Sequence, residues 1–87
     1  MINADLAPII ARLRRAEGHL ASLIAMVAEG RSCLELAQQL HAIERAIAST
    51  KRELVHARID ACLTPAAATP AQTKWLLSEV RSLGKYL

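Results

Sequence analysis

Apolar residues recur along most of the chain at steps of three and four positions, which is the spacing of one helix face. The pattern predicts a first helix over about residues 5–29 and a second over about 33–63. Gly30 ends the first helix, because glycine readily adopts the left-handed conformation of a helix C-terminus. Ser32 and Glu35 form an S-x-x-E capping box at the start of the second. The apolar positions are Leu6, Ile9, Ile10, Leu13, Leu20, Leu23, Ile24 and Val27, then Leu36, Leu40, Ile43, Ile47 and Leu54.

A linker and a shorter helix complete the chain. Residues 64–69 read TPAAAT, a segment that suits a connection. Thr69 and Pro70 then open a third helix over about 70–83, because proline fits the first helical position. The chain shows no strand pattern and no internal repeat. We therefore predict an all-α fold of three helices in one domain, residues 1–87.

The second helix is too long to be covered by a chain of this size. About 30 residues span on the order of 45 Å, whereas 87 residues make one small domain. Apolar residues make up 53% of the chain and Phe is absent, so the core consists of aliphatic side chains. This is more apolar surface than a lone small bundle buries. We expect part of it to face another copy of the chain.

Charge and targeting signals narrow the class of protein. The net charge is +3, and several copies together would attract a phosphate backbone if their cations cluster. No apolar run approaches the roughly 20 residues of a membrane span, and the N-terminus lacks the features of a signal peptide. We expect a cytoplasmic protein without a membrane partner. Two cysteines in that compartment favour a metal site or redox chemistry over a permanent disulfide.

Cys33 and Cys62 are predicted at opposite ends of the second helix. The 29 positions between them correspond to roughly 43 Å, so the two thiols of one chain cannot meet. At about 100° per residue, both fall on nearly the same face, close to the apolar stripe. If two copies pack antiparallel about residues 47 and 48, each Cys33 meets the Cys62 of the other chain. The alternative is that both cysteines are small buried apolar residues.

The surroundings of the two cysteines favour reactive thiols. Cys33 follows the Ser32 cap, where the helix dipole and free N–H groups favour a thiolate. Arg58 lies one turn before Cys62, and its positive charge would favour a thiolate there. The alternative for Arg58 is a surface arginine whose stem covers apolar surface.

Four sequence blocks carry a family resemblance. They are RLRRAEGHL at 12–20, EGRSC at 29–33, LAQQLHAIERAI at 36–47 and ELVHARIDACL at 53–63. Their order and spacing resemble the CsoR/RcnR family of bacterial repressors, in which a metal or another small effector releases DNA. The resemblance covers nearly the whole chain. It implies an antiparallel four-helix-bundle dimer that assembles into a dimer-of-dimers tetramer.

The resemblance also points to an effector site. Copper-sensing members have a cysteine at the start of the second helix and His-x-x-x-Cys near its end in the partner chain. Cys33 and Cys62 match both cysteines, but Arg58 occupies the histidine position. An arginine stays protonated and has no lone pair for a metal. Nickel- and cobalt-sensing members have more histidines, including one near the N-terminus. This chain has Met1, Ile2 and Asn3 there, so the resemblance to those members is weaker.

Two cysteines without the histidine resemble the CstR-like, persulfide-sensing branch. In that reading Cys33 attacks a persulfide or polysulfide and Cys62 of the other chain resolves the product as a disulfide or longer sulfur bridge. The bridge shifts the protein away from its DNA-binding shape. No cofactor is then required. The alternative is a Cu(I) sensor in which Cys33 and Cys62 form a two-coordinate site.

Basic residues provide candidate contacts to operator double-stranded DNA. The family resemblance favours Arg15 and Arg52, with Arg12, Arg14 and Lys51 behind them. The alternative is a solvated helix face. No helix-turn-helix or zinc finger is visible, so we expect phosphate contacts and readout of DNA shape.

Other classes of function fit less well. An enzyme is not expected, because the chain has no C-x-x-C and no histidine or acid at a telling spacing. Formaldehyde sensors of the same family carry a proline where this chain has Ile2. A purely structural helical bundle would not explain why both cysteines fall on one face of the second helix, or why the basic residues are clustered. His41 is expected to be packed or hydrogen-bonded, and His19 is expected to lie at a surface or interface. Neither histidine is expected to bind a metal.

Overall fold

A computed structural model of the protein describes residues 6–63 and 70–86, without the side chains of Cys62, Leu63 and Leu76. Three α-helices follow one another: α1 (Ala7–Ala28), α2 (Cys33–Leu63) and α3 (Pro70–Leu83), with a 3₁₀ turn over Gly84–Tyr86. The described residues contain no strand, so the predicted all-α, three-helix fold is confirmed. The expected linker, with the Thr69 cap, lies outside the described residues.

The described residues form two compact units, one over Leu6–Lys51 and the other from Arg52 onwards. The boundary falls within α2, so the first unit holds α1 and the first part of α2. The second holds the remainder of α2 together with α3. That the whole chain is one domain stays a prediction.

The joint between α1 and α2 is set by Gly30. Its φ of +77° lies in the left-handed region, which glycine adopts without steric penalty. Its N–H donates to the Val27 carbonyl at 3.1 Å, and the N–H of Arg31 donates to the Met26 carbonyl at 3.1 Å. This pair of bonds is a Schellman motif, which satisfies carbonyls left free at a helix end. The predicted stop at Gly30 is confirmed.

The first turn of α2 is capped from one side. Ser32 Oγ accepts a hydrogen bond from the Glu35 N–H at 3.2 Å, as a capping box requires. The Glu35 carboxylate, however, accepts from Arg31 Nη1 at 2.7 Å. The predicted box is therefore half formed, because a nearby guanidinium is a stronger partner for a carboxylate than a backbone amide.

A seven-residue repeat builds the core of the Leu6–Lys51 unit. The buried positions of α1 are seven residues apart, and those of α2 follow the same interval. This is the repeat that keeps one seam of a helix against a neighbouring helix. The buried residues are Ile9, Ala16 and Leu23 in α1 and Ile43 and Thr50 in α2, with Leu36 half-buried one interval earlier.

One side-chain hydrogen bond joins the two helices of this unit. His19 Nε2 lies 2.7 Å from Gln39 Oε1. Because the short joint makes α1 and α2 antiparallel neighbours, this bond fixes their register. It places Ala16 within one residue of the level of Ile43, and Ile9 within one residue of the level of Thr50. Thr50 satisfies its buried hydroxyl locally, by donating to the Ala46 carbonyl at 2.8 Å.

Many large apolar side chains of this unit remain exposed in the single chain. On α1 they lie beside the buried seam, and on α2 two of them are again seven residues apart. A soluble surface seldom carries so many neighbouring apolar side chains without a partner. They are Ile10, Leu13, Leu20, Ile24 and Val27 on α1, between 45% and 63% exposed, and Leu40 and Ile47 on α2, at 45% and 43%. We call these seven residues the exposed apolar stripe.

Candidate effector site and DNA-binding surface

Cys33 is the first residue of α2, and its free thiol is exposed. Ser32 directly before it caps the helix, as expected. The thiol is therefore accessible to a small reagent from solvent. This is the placement that the sequence indicates for an attacking cysteine.

A charge cluster next to Cys33 was not anticipated from the sequence. Arg31 donates from Nε to Glu29 Oε2 at 3.2 Å and from Nη1 to Glu35 Oε1 at 2.7 Å. The negative charge of Glu35, followed by the hydrogen bond to Glu29, raises the pKa of Arg31. Two carboxylates thus surround one guanidinium at the start of α2. The i,i+4 spacing of Arg31 and Glu35 is the local signal that predicts this pair.

Cys62 is the penultimate residue of α2. Its side chain lies outside the described residues. The two cysteines therefore occupy the two ends of one helix, as expected. Their pairing between chains stays a prediction.

Arg58 is held by α3. Its Nε lies 2.8 Å from Glu79 Oε1, and the two side chains are only 18% and 28% exposed. Its Cζ lies 5.5 Å from the centre of the Trp75 ring, a cation–π contact. The structure thus places Arg58 in an interhelical contact with α3.

Arg58 and Glu79 each keep one side-chain group that is not used in a hydrogen bond. Arg58 Nη1 and Glu79 Oε2 are buried without a hydrogen-bond partner among the described residues. Glu79 also compensates the charge that Arg58 was expected to offer to Cys62. Neither Glu79 nor Trp75 was singled out from the sequence, because a partner on another helix leaves no local spacing signal. That Arg58 tunes a thiol stays a prediction.

The histidines do not assemble a metal site within the described residues. No group of three or more His, Cys, Asp or Glu side chains lies together there. His19 is bonded to Gln39. His41 is exposed, so the expectation that it is packed was wrong; its position faces away from the buried seam. His41 and His56 are exposed, and the donor atoms that the sequence singles out are the thiols of Cys33 and Cys62.

The basic residues of α1 are exposed and lie on more than one face. Arg12 and Arg15 are three residues apart and neighbour each other on the helix. Arg14 points about 100° away from Arg15. It borders a shallow depression at the exposed apolar stripe, lined by Ile10, Leu13, Arg14 and Glu17. Arg12 and Arg15 therefore share one side of α1, and Arg14 lies on another.

The basic residues of α2 are likewise exposed. Lys51 closes the Leu6–Lys51 unit and Arg52 opens the next one. Arg45, two turns before Arg52, is also exposed. All five predicted DNA contacts are therefore accessible to solvent. Their binding to DNA stays a prediction.

Comparison with known proteins identifies the family. Residues 5–85 match the family described as metal-sensitive transcriptional repressors, and the chain belongs to that family. Its fold resembles the solved structure of the nickel-responsive transcriptional regulator InrS, with a TM-score of 0.76 and 31% sequence identity. The match covers 95% of this chain and 93% of InrS. No curated protein matches the chain.

Family membership bears on several expectations. The family and InrS are transcriptional regulators, not enzymes. The resemblance to the CsoR/RcnR family is confirmed, whereas the CstR-like branch is not shown. The expectation that no cofactor takes part does not agree with a family described as metal-sensitive. No helix within residues 6–63 and 70–86 is long and apolar enough to cross a membrane.

Proposed function

We propose that the protein represses transcription by binding operator DNA and releases it when persulfide or polysulfide links Cys33 of one subunit to Cys62 of another. The observation that carries the proposal is the bonding of Arg58. The position that a histidine ligand occupies in copper-sensing relatives holds a guanidinium engaged with Glu79 and Trp75. A guanidinium has no lone pair and repels a cation. A thiol reaction needs no third ligand.

The subunit arrangement is an antiparallel dimer along α2, which pairs further into a tetramer. The exposed apolar stripe supports a second copy, because seven large side chains stand 43–63% exposed in one chain. Cys33 begins α2 and Cys62 is its penultimate residue. About 2900° of helical rotation separates them, which returns both to nearly the same face. An antiparallel partner then brings two identical thiol pairs together.

The sulfur chemistry balances without a cofactor. The Cys33 thiolate attacks the sulfane sulfur of a persulfide, R–S–SH, forming Cys33–S–SH and releasing the thiolate R–S⁻. The Cys62 thiolate of the other subunit attacks the Cys33 sulfur and releases HS⁻, leaving a disulfide. Two thiols are oxidised and the sulfane sulfur is reduced to sulfide. A second sulfur donor gives a longer bridge by the same step.

DNA binding is assigned to the cations of α1 and α2. Arg15 and Arg52 are the leading contacts, with Arg12, Arg14 and Lys51 in support. All five side chains are exposed. Contacts of these side chains with phosphates provide the affinity for DNA. A dimer bridged through its cysteines no longer matches the shape of the operator, so its affinity for DNA falls.

A metal-sensing function is the second candidate, because the family is described as metal-sensitive and the similar InrS as nickel-responsive. Cys33 and Cys62 suit Cu(I), a soft ion that two thiolates can bind alone. Nickel is the weaker fit. It favours several imidazole nitrogens, and no group of three or more His, Cys, Asp or Glu side chains lies together within the described residues.

Intact-mass spectrometry on the reduced protein separates these candidates. Three samples receive a persulfide donor, Cu(I) or Ni(II), and DNA binding is measured on each. We expect a covalent dimer, joined through Cys33 and Cys62, only with the persulfide donor, and loss of DNA binding in that sample.

Cys33→Ser and Cys62→Ser are the matched variants, since each removes one thiol and changes the size of the residue little. Each is expected to remain on DNA after persulfide treatment. Metal-dependent release from DNA without a covalent change would contradict sulfur sensing and support the metal site.

A further inference from the structure

The outward side of α3 carries a row of cations. Lys74 and Arg81 are exposed and seven residues apart, so they fall within about 20° of each other around the helix. Lys85 follows in the 3₁₀ turn and is exposed as well. Its Nζ lies 5.2 Å from the centre of the Tyr86 ring, a contact that restrains the ammonium group. We call Lys74, Arg81 and Lys85 the α3 cationic row.

The one acidic residue between positions 70 and 86 does not offset this row. Glu79 pairs with Arg58 Nε at 2.8 Å, and its side chain is only 28% exposed. Its negative charge is thereby compensated by α2. The exposed charge of α3 is positive along its whole length.

The contacts of α3 with α2 turn the row towards solvent. Trp75 and Glu79 lie about 100° and 140° around the helix from Lys74, and both contact Arg58. Val80 and Leu83, on the side opposite Lys74, are half-buried. The Arg58 contact therefore fixes which face of α3 is available to a partner.

We propose that the α3 cationic row is a second DNA-binding surface, which contacts the phosphate backbone in addition to the α1 and α2 contacts. This inference rests on the proposed binding of operator DNA and extends it to residues of α3. The argument is charge complementarity: three exposed cations, with no exposed acid on α3 itself, face solvent in a protein whose family binds a polyanion.

Hydroxyl groups along the row suit the same partner. Ser78 is exposed between Lys74 and Arg81, and its carbonyl accepts the Ser82 hydroxyl at 3.2 Å. Serine and tyrosine hydroxyls commonly donate to phosphate oxygens. The row from Lys74 to Lys85 spans about 16 Å, which corresponds to about five base-pair steps of 3.4 Å. These contacts read no sequence, so the row adds affinity rather than specificity.

The salt dependence of DNA binding tests the row. Lys74→Gln, Arg81→Gln and Lys85→Gln each remove one charge in the full-length protein, and Arg31→Gln is the matched control. Arg31 is paired with Glu29 and Glu35 and belongs to neither proposed DNA surface. Binding to a labelled random-sequence duplex is measured by fluorescence anisotropy between about 50 and 200 mM salt. Circular dichroism and sedimentation confirm that fold and assembly are unchanged.

The expected result is a shallower slope of log K against log salt for each α3 variant, by about 0.9 for every subunit whose removed charge contacts a phosphate, with Arg31→Gln at the wild-type value. Slopes of the α3 variants equal to that of Arg31→Gln would overturn the row and leave the α1 and α2 contacts standing. A wild-type protein that does not bind the duplex at the lowest salt would overturn both. The two failures are therefore distinguishable.

Discussion

At the scale of single residues, Arg58 separates the two candidate effectors. Its guanidinium is bonded to Glu79 at 2.8 Å and stacked on Trp75 at 5.5 Å. These contacts keep a permanent cation one turn before Cys62, at the position where the resemblance to copper-sensing repressors implies a histidine. A soft cation approaching the proposed pair of cysteines would meet a positive charge partly offset by Glu79. Persulfide chemistry meets no such obstacle.

Replacing Arg58 by histidine is expected to convert the thiol pair into a better Cu(I) site. Arg58→His removes the cation and supplies a neutral nitrogen donor, so we expect Cu(I) affinity to rise by at least about tenfold. Competition with a colourimetric Cu(I) chelator measures the change. Arg58→Lys is the control, because it keeps a positive charge. Equal affinities for wild type and Arg58→His would contradict the role given to this position.

At the scale of the helices, the features that the sequence predicts are those with local causes. Gly30 and Ser32 act on backbone groups within four residues, so spacing alone marks the joint. The partners of Arg58 belong to a helix beyond the linker and have no such signal. The sequence marks Ile9, Leu23 and Ile43 as apolar helix positions, but the burial of Ala16 and Thr50 depends on how α1 and α2 face each other, for which the sequence has no local signal.

The joint at Gly30 gives a prediction with an internal control. An alanine Cβ at this position meets nothing within 4 Å, so strain from the φ of +77° is the remaining cost. Gly30→Ala is expected to lower the free energy of unfolding by about 1–2 kcal/mol per chain. Gly18→Ala, within α1 and equally open, is expected to raise it by about 0.5–1 kcal/mol.

Urea denaturation at one fixed protein concentration compares the two glycine variants, since association also contributes to stability. The two changes in the free energy of unfolding should have opposite signs, but they need not be equal in size. A Gly30→Ala variant as stable as wild type would show that the left-handed turn does not limit this joint. A destabilised Gly18→Ala would indicate that another subunit approaches this position closely, as a glycine in a helix interior permits.

At the scale of the whole molecule, the exposed apolar stripe determines whether one chain is sufficient. Ile24 is 63% exposed in its middle, although a chain of this composition has ample apolar material for a core. The buried seam of α1 and the stripe lie side by side. The α2 helix of the same chain covers the seam, and the partner proposed for the stripe is a second copy of the chain.

A single charge should therefore weaken assembly. Ile24→Glu places a carboxylate in the stripe, where burial without a partner is strongly unfavourable, and we expect the dissociation constant of the assembly to rise by at least about tenfold. Ser22→Glu, exposed on the other side of α1, introduces the same charge as a control and should leave assembly unchanged. Sedimentation equilibrium over a range of protein concentrations measures both. If Ile24→Glu associates as tightly as Ser22→Glu, the stripe is not the interface, and the antiparallel thiol pair loses its structural support.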